Sequence, residues 1–463
     1  MSFDLPNELW TEIFEYIPPT ALVGVHLTAR RFYALSHPIL FRFLVLDPDH
    51  HAKKGNRNFL GILDAYTEPH VAKRVHRLAV SFLFRRLTRS QRSSGKVIPL
   101  KDAMLQRLPA FTNLRVLSCI FRSGEQVDLG SLALPTLQKL TLSGCALICP
   151  AEVPAEKLHI EHFAYTDIPI MGVRNRDTPF FRSFLSALDP AALKSLTLSP
   201  AFDSSPGAWL ALDEDLYASF TSLRTVDITC DGPFLNPVRA FLAALPALED
   251  LTLHGRSRNA REPTLDSAFG TLPSDTMRSL RSFSGPVEYL PLVLPHAPKL
   301  ASLAITSGHC FCVLRRTLAQ VPKTIRQLEF LIGMGVVHEW VDEPELTSAH
   351  SHLVREMLEA HFPRLERLTV RMSDDDRIDP ENDEVFGVIS RDFEEQVGAA
   401  LKSILVPAAE QGLKEMVVDF DVHEITAAML PDLEPLQEEL LAAVKPRGVD
   451  VQFVGNVRDL DEE

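Results

Sequence analysis

The chain lacks the motifs that mark common catalytic centres. It has no Gly-x-Gly-x-x-Gly, no phosphate-binding loop, no Gly-x-Ser-x-Gly and no His-Glu-x-x-His. These absences argue against a dinucleotide enzyme, a nucleotide hydrolase, a serine hydrolase and a zinc protease. No catalytic residue, metal or cofactor is expected, and the chain reads as a non-enzyme. Cysteine is scarce, with six in 463 residues, whereas a secreted disulfide scaffold is denser. The start, MSFDLPNEL, has no basic region followed by an apolar run, so no signal peptide is visible. No apolar stretch approaches the ~20 residues that a membrane span needs. Together these features point to a reducing intracellular compartment, cytosol or nucleus, with no membrane partner.

The few residues suggestive of chemistry have plainer explanations. His309, Cys310 and Cys312 lack the second pair of a zinc site, and Cys145 and Cys149 have the wrong spacing, so these cysteines read as small core hydrophobes. His50-His51 reads as a solvated loop. Asp374 to Asp376 resembles a calcium loop in charge only, without its Gly and distal Glu, and reads as a solvated insertion.

Charge is unbalanced. The net charge of −14 argues against non-specific nucleic-acid binding. Between Lys53 and Arg107, however, thirteen Lys/Arg face three Asp/Glu, an excess of ten. This stretch reads as a solvated junction or as a contact for an acidic partner. Its few aromatics look like core, which disfavours single-strand binding. Residues Ser373 to Glu384 and the last five residues are acidic. The 33 prolines are scattered and indicate many turns rather than a linker.

What is present is a compact N-terminal helical pattern. Pro6 suits a first helical turn. Leu5, Leu9, Ile13 and Ile17 form one stripe at a spacing of four, with Trp10 and Phe14 beside it. Pro18-Pro19 ends that helix. Thr20 is a plausible N-cap for a second helix carrying Leu22, Val25 and Leu27. A third stretch carries Phe32, Leu35, Leu40 and Phe41. Trp10, Phe14, Leu22, Val25, Phe32, Leu40 and Phe41 are too many for the inside of a forty-residue unit. Some are expected outside, as an interaction patch or as packing against the rest of the chain.

This segment resembles an F-box. Leu5-Pro6-x-Glu8-Leu9 matches the family opening, Ile13-Phe14 its Ile-Phe pair, and Leu22, Val25 and Leu27 its second helix. Ala29-Arg30-Arg31-Phe32 stands where the family often has Cys-Arg-Arg-Phe. The resemblance implies docking on a Skp-type adaptor and, through it, on cullin and RING subunits. It also implies that Leu5, Pro6, Leu9, Ile13, Phe14, Leu22 and Val25 bind the adaptor.

Downstream, a Leu-x-x-Leu-x-Leu pattern recurs. Clear copies are LPTLQKLTLSGC (Leu134–Cys145), FTSLRTVDITC (Phe220–Cys230), LPALEDLTLHG (Leu245–Gly255) and FPRLERLTVRM (Phe362–Met372); VHRLAVSF and LKEMVVDF are weaker. The alternation within each copy predicts a strand with its leucines facing in. A lone copy cannot bury its leucines, so the copies must stack. The key positions are Leu117, Leu140, Leu196, Val226, Leu251, Phe283, Leu303, Leu328, Leu368 and Met416. Their separations are 23, 56, 30, 25, 32, 20, 25, 40 and 48, and the gap of 56 implies a degenerate copy near Phe163. Segments 234–246, 348–363 and 391–405 have helical spacing. A last strand is expected at Val449–Gly455.

This region resembles the irregular leucine-rich repeats often coupled to F-boxes. The expected fold is therefore α/β: a small three-helix module followed by a curved repeat solenoid with parallel strands inside and helices outside. The expected domains are 1–46 for adaptor docking, 47–110 for a basic junction and first repeats, and 111–463 for the solenoid, with an acidic insertion near 373–384 and a C-terminal cap. A TIM barrel or doubly wound sheet is the alternative, but several strand spacings are short for full βαβ units.

Outward strand residues line the exposed face of such an array. They are Lys139, Thr141 and Ser143; Ser195 and Thr197; Thr225, Asp227 and Thr229; Asp250, Thr252 and His254; Gln327 and Glu329; Arg367, Thr369 and Arg371. Asp227, Thr252, His254, Glu329, Arg367 and Arg371 are the candidate target-binding residues. Arg367 and Arg371 are expected to pair with a carboxylate or phosphate of the target; the Ser and Thr positions are equally explained as good strand formers. The expected function is a non-catalytic substrate receptor of a cullin-based ubiquitin ligase acting on a protein target. The alternatives are an adaptor-binding scaffold outside any ligase and an enzyme with an unrecognised pocket.

Overall fold

A computed structural model describes residues 5–47, 59–82, 100–148, 157–166, 184–199, 214–230, 235–255, 276–306, 321–333, 358–373, 378–379, 384–385, 393–423 and 434–458. The chain forms two compact units, Met1–Leu223 and Arg224–Glu463. No helix of the described residues is long and apolar enough to cross a membrane.

The first unit opens with α1 (Asn7–Glu15), α2 (Pro19–His26) and α3 (Arg30–Leu40). The diproline both stops α1 and starts α2. Pro18 occupies the cap and Pro19 the first turn, where a missing N–H costs nothing. The expected cap at Thr20 is thus displaced by two residues. Trp10 and Phe14 of α1 meet Phe32 of α3, with ring centroids 4.8 and 5.5 Å from Phe32. Leu22 of α2 is buried, as is Phe14. Arg31 locks the ends of the module together, donating from Nε to Asn7 Oδ1 at 2.8 Å and from Nη2 to the Leu5 carbonyl at 2.6 Å.

The chain leaves α3 almost directly into β1 (Phe43–Leu46), whose Leu44 and Leu46 are buried. The remaining strands of this unit are β2 (Arg77–Ser81), β3 (Val116–Asp128), β4 (Lys139–Ile148), β5 (His162–Thr166) and β6 (Ser195–Ser199). They pair in parallel and in sequence order. The second unit carries β7 (Thr225–Cys230), β8 (Asp250–Gly255), β9 (Ser282–Gly285), β10 (Ser302–Ile305), β11 (Gln327–Gly333) and β12 (Arg367–Ser373). A short antiparallel pair follows, β13 (Ile378–Asp379) and β14 (Glu384–Val385), within the expected acidic insertion. Then come β15 (Glu415–His423) and β16 (Asp450–Arg458), the latter one residue later than expected at its start and three at its end. Here too the main sheet is parallel and sequential, running from β7 to β12 and then through β15 to β16.

Neither run reverses its strand order or closes on itself among the described residues, so neither the doubly wound sheet nor the barrel is found. The expected key positions fall into register. Leu78, Leu117, Leu140, Phe163 and Leu196 are successive partners in the first unit. Val226, Leu251, Phe283, Leu303, Leu328, Leu368 and Met416 are partners in the second, and Val451 extends the row. Phe163 occupies the place of the missing copy, and each of the earlier residues is fully buried.

The copies also share a backbone device. A tight turn precedes several of the strands, closed by Leu114 N–H to Phe111 O, Leu223 to Phe220, Leu300 to Ala297 and Leu365 to Phe362. The residue after the turn begins the ladder to the strand before it, as in Arg115 N–H to His76 O and Glu366 N–H to Arg326 O, both within 2.9 Å. Thr136 and Thr324 reinforce this junction, donating to the carbonyls of Leu114 and Leu300 at 2.8 and 2.6 Å. These strands are thereby entered with a leucine aimed inward, and stacking makes the inward rows continuous.

Helices occupy connections as expected at Leu235–Ala243 and Phe393–Glu410, and a further one lies at Glu434–Val444. They turn Val238, Phe241, Leu242, Leu401, Ile404 and Leu440 into the core. Most of the expected helix 348–363 lies outside the described residues. Cys119 and Cys145 are buried free thiols, as core cysteines should be, and burial pushes the Cys119 thiol up, far from reactivity. Cys149, His309, Cys310, Cys312, His50, His51 and Asp374 to Asp376 lie outside the described residues.

Candidate functional site

Two surfaces carry the candidate residues. The first is the helical module. Because Trp10 and Phe14 turn inward, the neighbouring line on α1 must turn outward. Leu9, Ile13 and Tyr16, spaced by four and then three, are 44%, 40% and 89% exposed. Leu27 after α2 is 77% exposed, and Val23 and Tyr33 are about half exposed. Leu5 and Val25 are half-buried and Pro6 is exposed. Phe14 and Leu22, expected at the adaptor interface, are the module's own core instead. The outward apolar set is also not the one expected. Trp10, Phe32, Leu40 and Phe41 are partly covered, while Tyr16, Val23 and Tyr33 stand out. An apolar count cannot say which stripe a neighbouring helix will claim.

The rest of the first unit covers a different part of the module. His37 of α3 stacks on His70, with centroids 6.1 Å apart, and Phe41 meets Tyr66 at 6.2 Å. His26 and Tyr33 approach to 4.3 Å, and His26 Nδ1 lies 2.9 Å from Ser36 Oγ. Burial, then the charges of His26, His70 and Arg74, hold the pKa of His37 below its usual value. Packing within the unit therefore consumes His37 and Phe41 and leaves Leu9, Ile13, Tyr16, Val23 and Leu27 uncovered.

The second surface is the outward face of the strands. In the second unit several of its charges are already paired. His254 Nε2 and Asp227 Oδ1 lie 2.8 Å apart across β7 and β8, with Thr252 the register partner of Asp227. This hydrogen bond to Asp227 raises the pKa of His254 above its usual value despite burial. Arg371 sits between two carboxylates, with Nη2 3.2 Å from Glu329 and Nε donating to Asp419 Oδ2 at 3.1 Å. Arg367 lies 3.6 Å from Glu415. Arg367 and Arg371, expected to reach a target's carboxylate or phosphate, are thus ion-paired with the sheet's own acids on β11 and β15. An arriving anion would have to displace these partners.

The six candidate target residues form separate groups. Asp227, Thr252 and His254 lie on β7 and β8. Glu329, Arg367 and Arg371 lie on β11 and β12. Between them stand the small outward residues Ser282, Ser284, Ser302 and Ala304 of β9 and β10. Sequence reasoning missed Glu415 and Asp419. Asp419 is nearly buried, and its Oδ1 has no hydrogen-bond partner among the described residues. The alternation in EMVVDFD places both outward once its strand is extended to the full β15. Among the described residues no group of three or more His, Cys, Asp or Glu is arranged to hold a metal ion.

The F-box-like family profile matches residues 3–47, which span α1 to α3 and β1. Domains of this type generally bind Skp-type adaptors and, as a family, point to substrate receptors of Skp–cullin–F-box ligases. No curated protein matches the chain.

Proposed function

We propose that the protein is a non-catalytic substrate receptor of a Skp–cullin–F-box ubiquitin ligase, acting in the cytosol or nucleus. The helical module docks on the adaptor. Behind it, each unit stacks leucine-rich-repeat-like strands, and their outward face holds a protein target. Ligation chemistry belongs to the cullin-bound RING subunit and its partners, and the receptor works by bringing the target close.

One observation carries this assignment. Within the matched residues, Leu9, Ile13, Tyr16, Val23 and Leu27 remain uncovered although the module packs on its own unit through His37 and Phe41. A contiguous exposed apolar set on a packed module marks a protein-binding surface. Phe14 and Leu22 serve that surface indirectly, as buried core of a module in which α1 and α2 each pack on α3.

The test is a double substitution at exposed positions. Leu9→Ala with Ile13→Ala removes two anchors, each worth about 2 kcal/mol at the centre of an interface. The expected result is loss of co-purification with the Skp-type adaptor, with an unchanged melting temperature because neither residue is core. Undiminished adaptor binding would refute the docking assignment. Adaptor binding by the unaltered chain without cullin would instead favour a scaffold outside the ligase.

A further inference from the structure

The outward face of β1 to β4 differs in kind from the paired-charge face of the second unit. At the first shared register position the row reads Phe43, Arg77, Val116, Lys139. At the next it reads Val45, Ala79, Ser118, Thr141, all small or apolar. Phe43 and Val45 are 53% and 57% exposed, on a strand whose other residues are core. Neither row contains a carboxylate.

The entry rim of these strands is equally one-signed. His76 donates its N–H to the Arg42 carbonyl and Arg115 to that of His76, so three basic residues occupy successive positions. At several other rim positions opposite signs meet and pair. Lys194 meets Glu161 at 2.8 Å, Arg224 meets Glu249 at 3.1 Å, and Glu366 meets Arg326 and Lys414 at 3.8 and 3.5 Å. At β1 to β3 nothing acidic interleaves. Arg42 reaches Glu15 at 3.8 Å, but Arg77, Arg115 and Lys139 have no ion-pair partner among the described residues. Burial, then the charges of Arg42 and Arg115, hold the pKa of His76 below its usual value, as a locally positive potential should.

We propose that this face seats an acidic segment of the protein target, with an apolar side chain of the segment against Phe43 and Val45 and its carboxylates on Arg77, Arg115 and Lys139. Guanidinium groups with no ion-pair partner among the described residues, beside an exposed apolar patch, match carboxylates that flank an apolar anchor. The small second row lets the segment's backbone approach closely. Arg77 and Lys139 are two strands apart, about 10 Å, between the roughly 7 and 13 Å that separate same-side residues two and four apart in an extended chain, a difference that the long Arg and Lys side chains bridge. This proposal rests on the receptor assignment and adds the chemical class of the target.

The experiment exposes the full chain to a degenerate twelve-residue peptide library and sequences the bound fraction. Wild type is expected to enrich Asp and Glu together with Leu or Phe. The double variant Arg77→Glu, Lys139→Glu should lose the acidic enrichment, and binding of the selected peptides should weaken about tenfold or more. Phe43→Ser should lose the apolar preference while keeping the acidic one. All three positions are exposed, and equal melting temperatures exclude unfolding as the cause. Absence of acidic enrichment in wild type, or the same enrichment in the charge-reversed variant, overturns the proposal. So does equally tight capture of a single-stranded oligonucleotide. Adaptor binding is measured on the same samples. If the charge reversal leaves peptide binding intact while the adaptor still docks, this inference fails alone; if wild type does not dock, the receptor assignment fails.

Discussion

His254 and Asp227 show how a single pair on the outward face responds to solution conditions. Their 2.8 Å contact favours the charged imidazole, so the folded-state pKa of His254 lies above its usual value. A raised histidine pKa contributes stability fully below about pH 6.5, the unfolded value, and loses that contribution as pH rises through the folded value. His254 is half exposed, so the contribution is small and best read by titration. Asp227→Asn is expected to lower the His254 midpoint in an imidazole NMR titration; an unmoved midpoint would mean the contact is not formed in solution. Arg371 shows the complementary case. It was legible as an outward residue, but its neutralisation by Glu329 and Asp419 was not, because these acids come from strands forty-two residues before it and forty-eight after.

Among the elements, β3 and β4 depart most from a plain ladder. Their pairing is regular from Val116–Lys139 to Ile120–Ser143 and resumes only at Glu125–Cys145. Gly144 sits at this break with φ +74°, and a Cβ there would lie 2.3 Å from the Phe121 carbonyl oxygen. Phe121 in turn stacks on Phe82 at 4.9 Å. Gly144→Ala therefore combines left-handed strain with a clash against backbone that has no flexible end to move. It should cost roughly 2 kcal/mol or more. Gly412→Ala is the control: φ there is +83° but nothing lies within 4 Å, so only the backbone term of about 1 kcal/mol remains. Thermal melts should rank the two in that order, and equal melting temperatures would rule out the close approach. The alternation of Leu140-Thr141-Leu142 announced a strand. The bulge was not announced, since Ser143-Gly144-Cys145 reads equally well as a turn.

Across the whole molecule, each unit is a series of strands that touch mainly their sequence neighbours, so a local defect should stay local. Leu140→Ala removes a fully buried side chain from β4 and should cost about 2–5 kcal/mol. Hydrogen exchange is expected to show lost protection in β3, β4 and β5, with β10 to β12 unchanged. Uniform loss across both units would mean that the chain unfolds as one cooperative block. Docking belongs to this scale too. The module and the sheet face of the first unit lie in one compact unit, so an adaptor-binding variant and a charge-reversed variant separate two tasks of a single folded body.

By itself the sequence determined which side chains face inward. Leu117, Leu140, Leu303 and Leu368 were legible because strand alternation has a period of two and is local, and even the absent copy at Phe163 followed from a gap too long to leave unfilled. The F-box-like segment was legible for the same reason, as a short pattern of fixed spacings. Tertiary structure alone decided which outward groups remain available. Phe14 and Leu22 went to the core while Leu9 and Ile13 stayed out, because α3 brings Phe32 against one stripe of α1 and not the other. Arg371 was neutralised while Arg77 meets no acid among the described residues, because a charge is cancelled by whichever strands become its neighbours, and that pairing joins residues far apart in the chain.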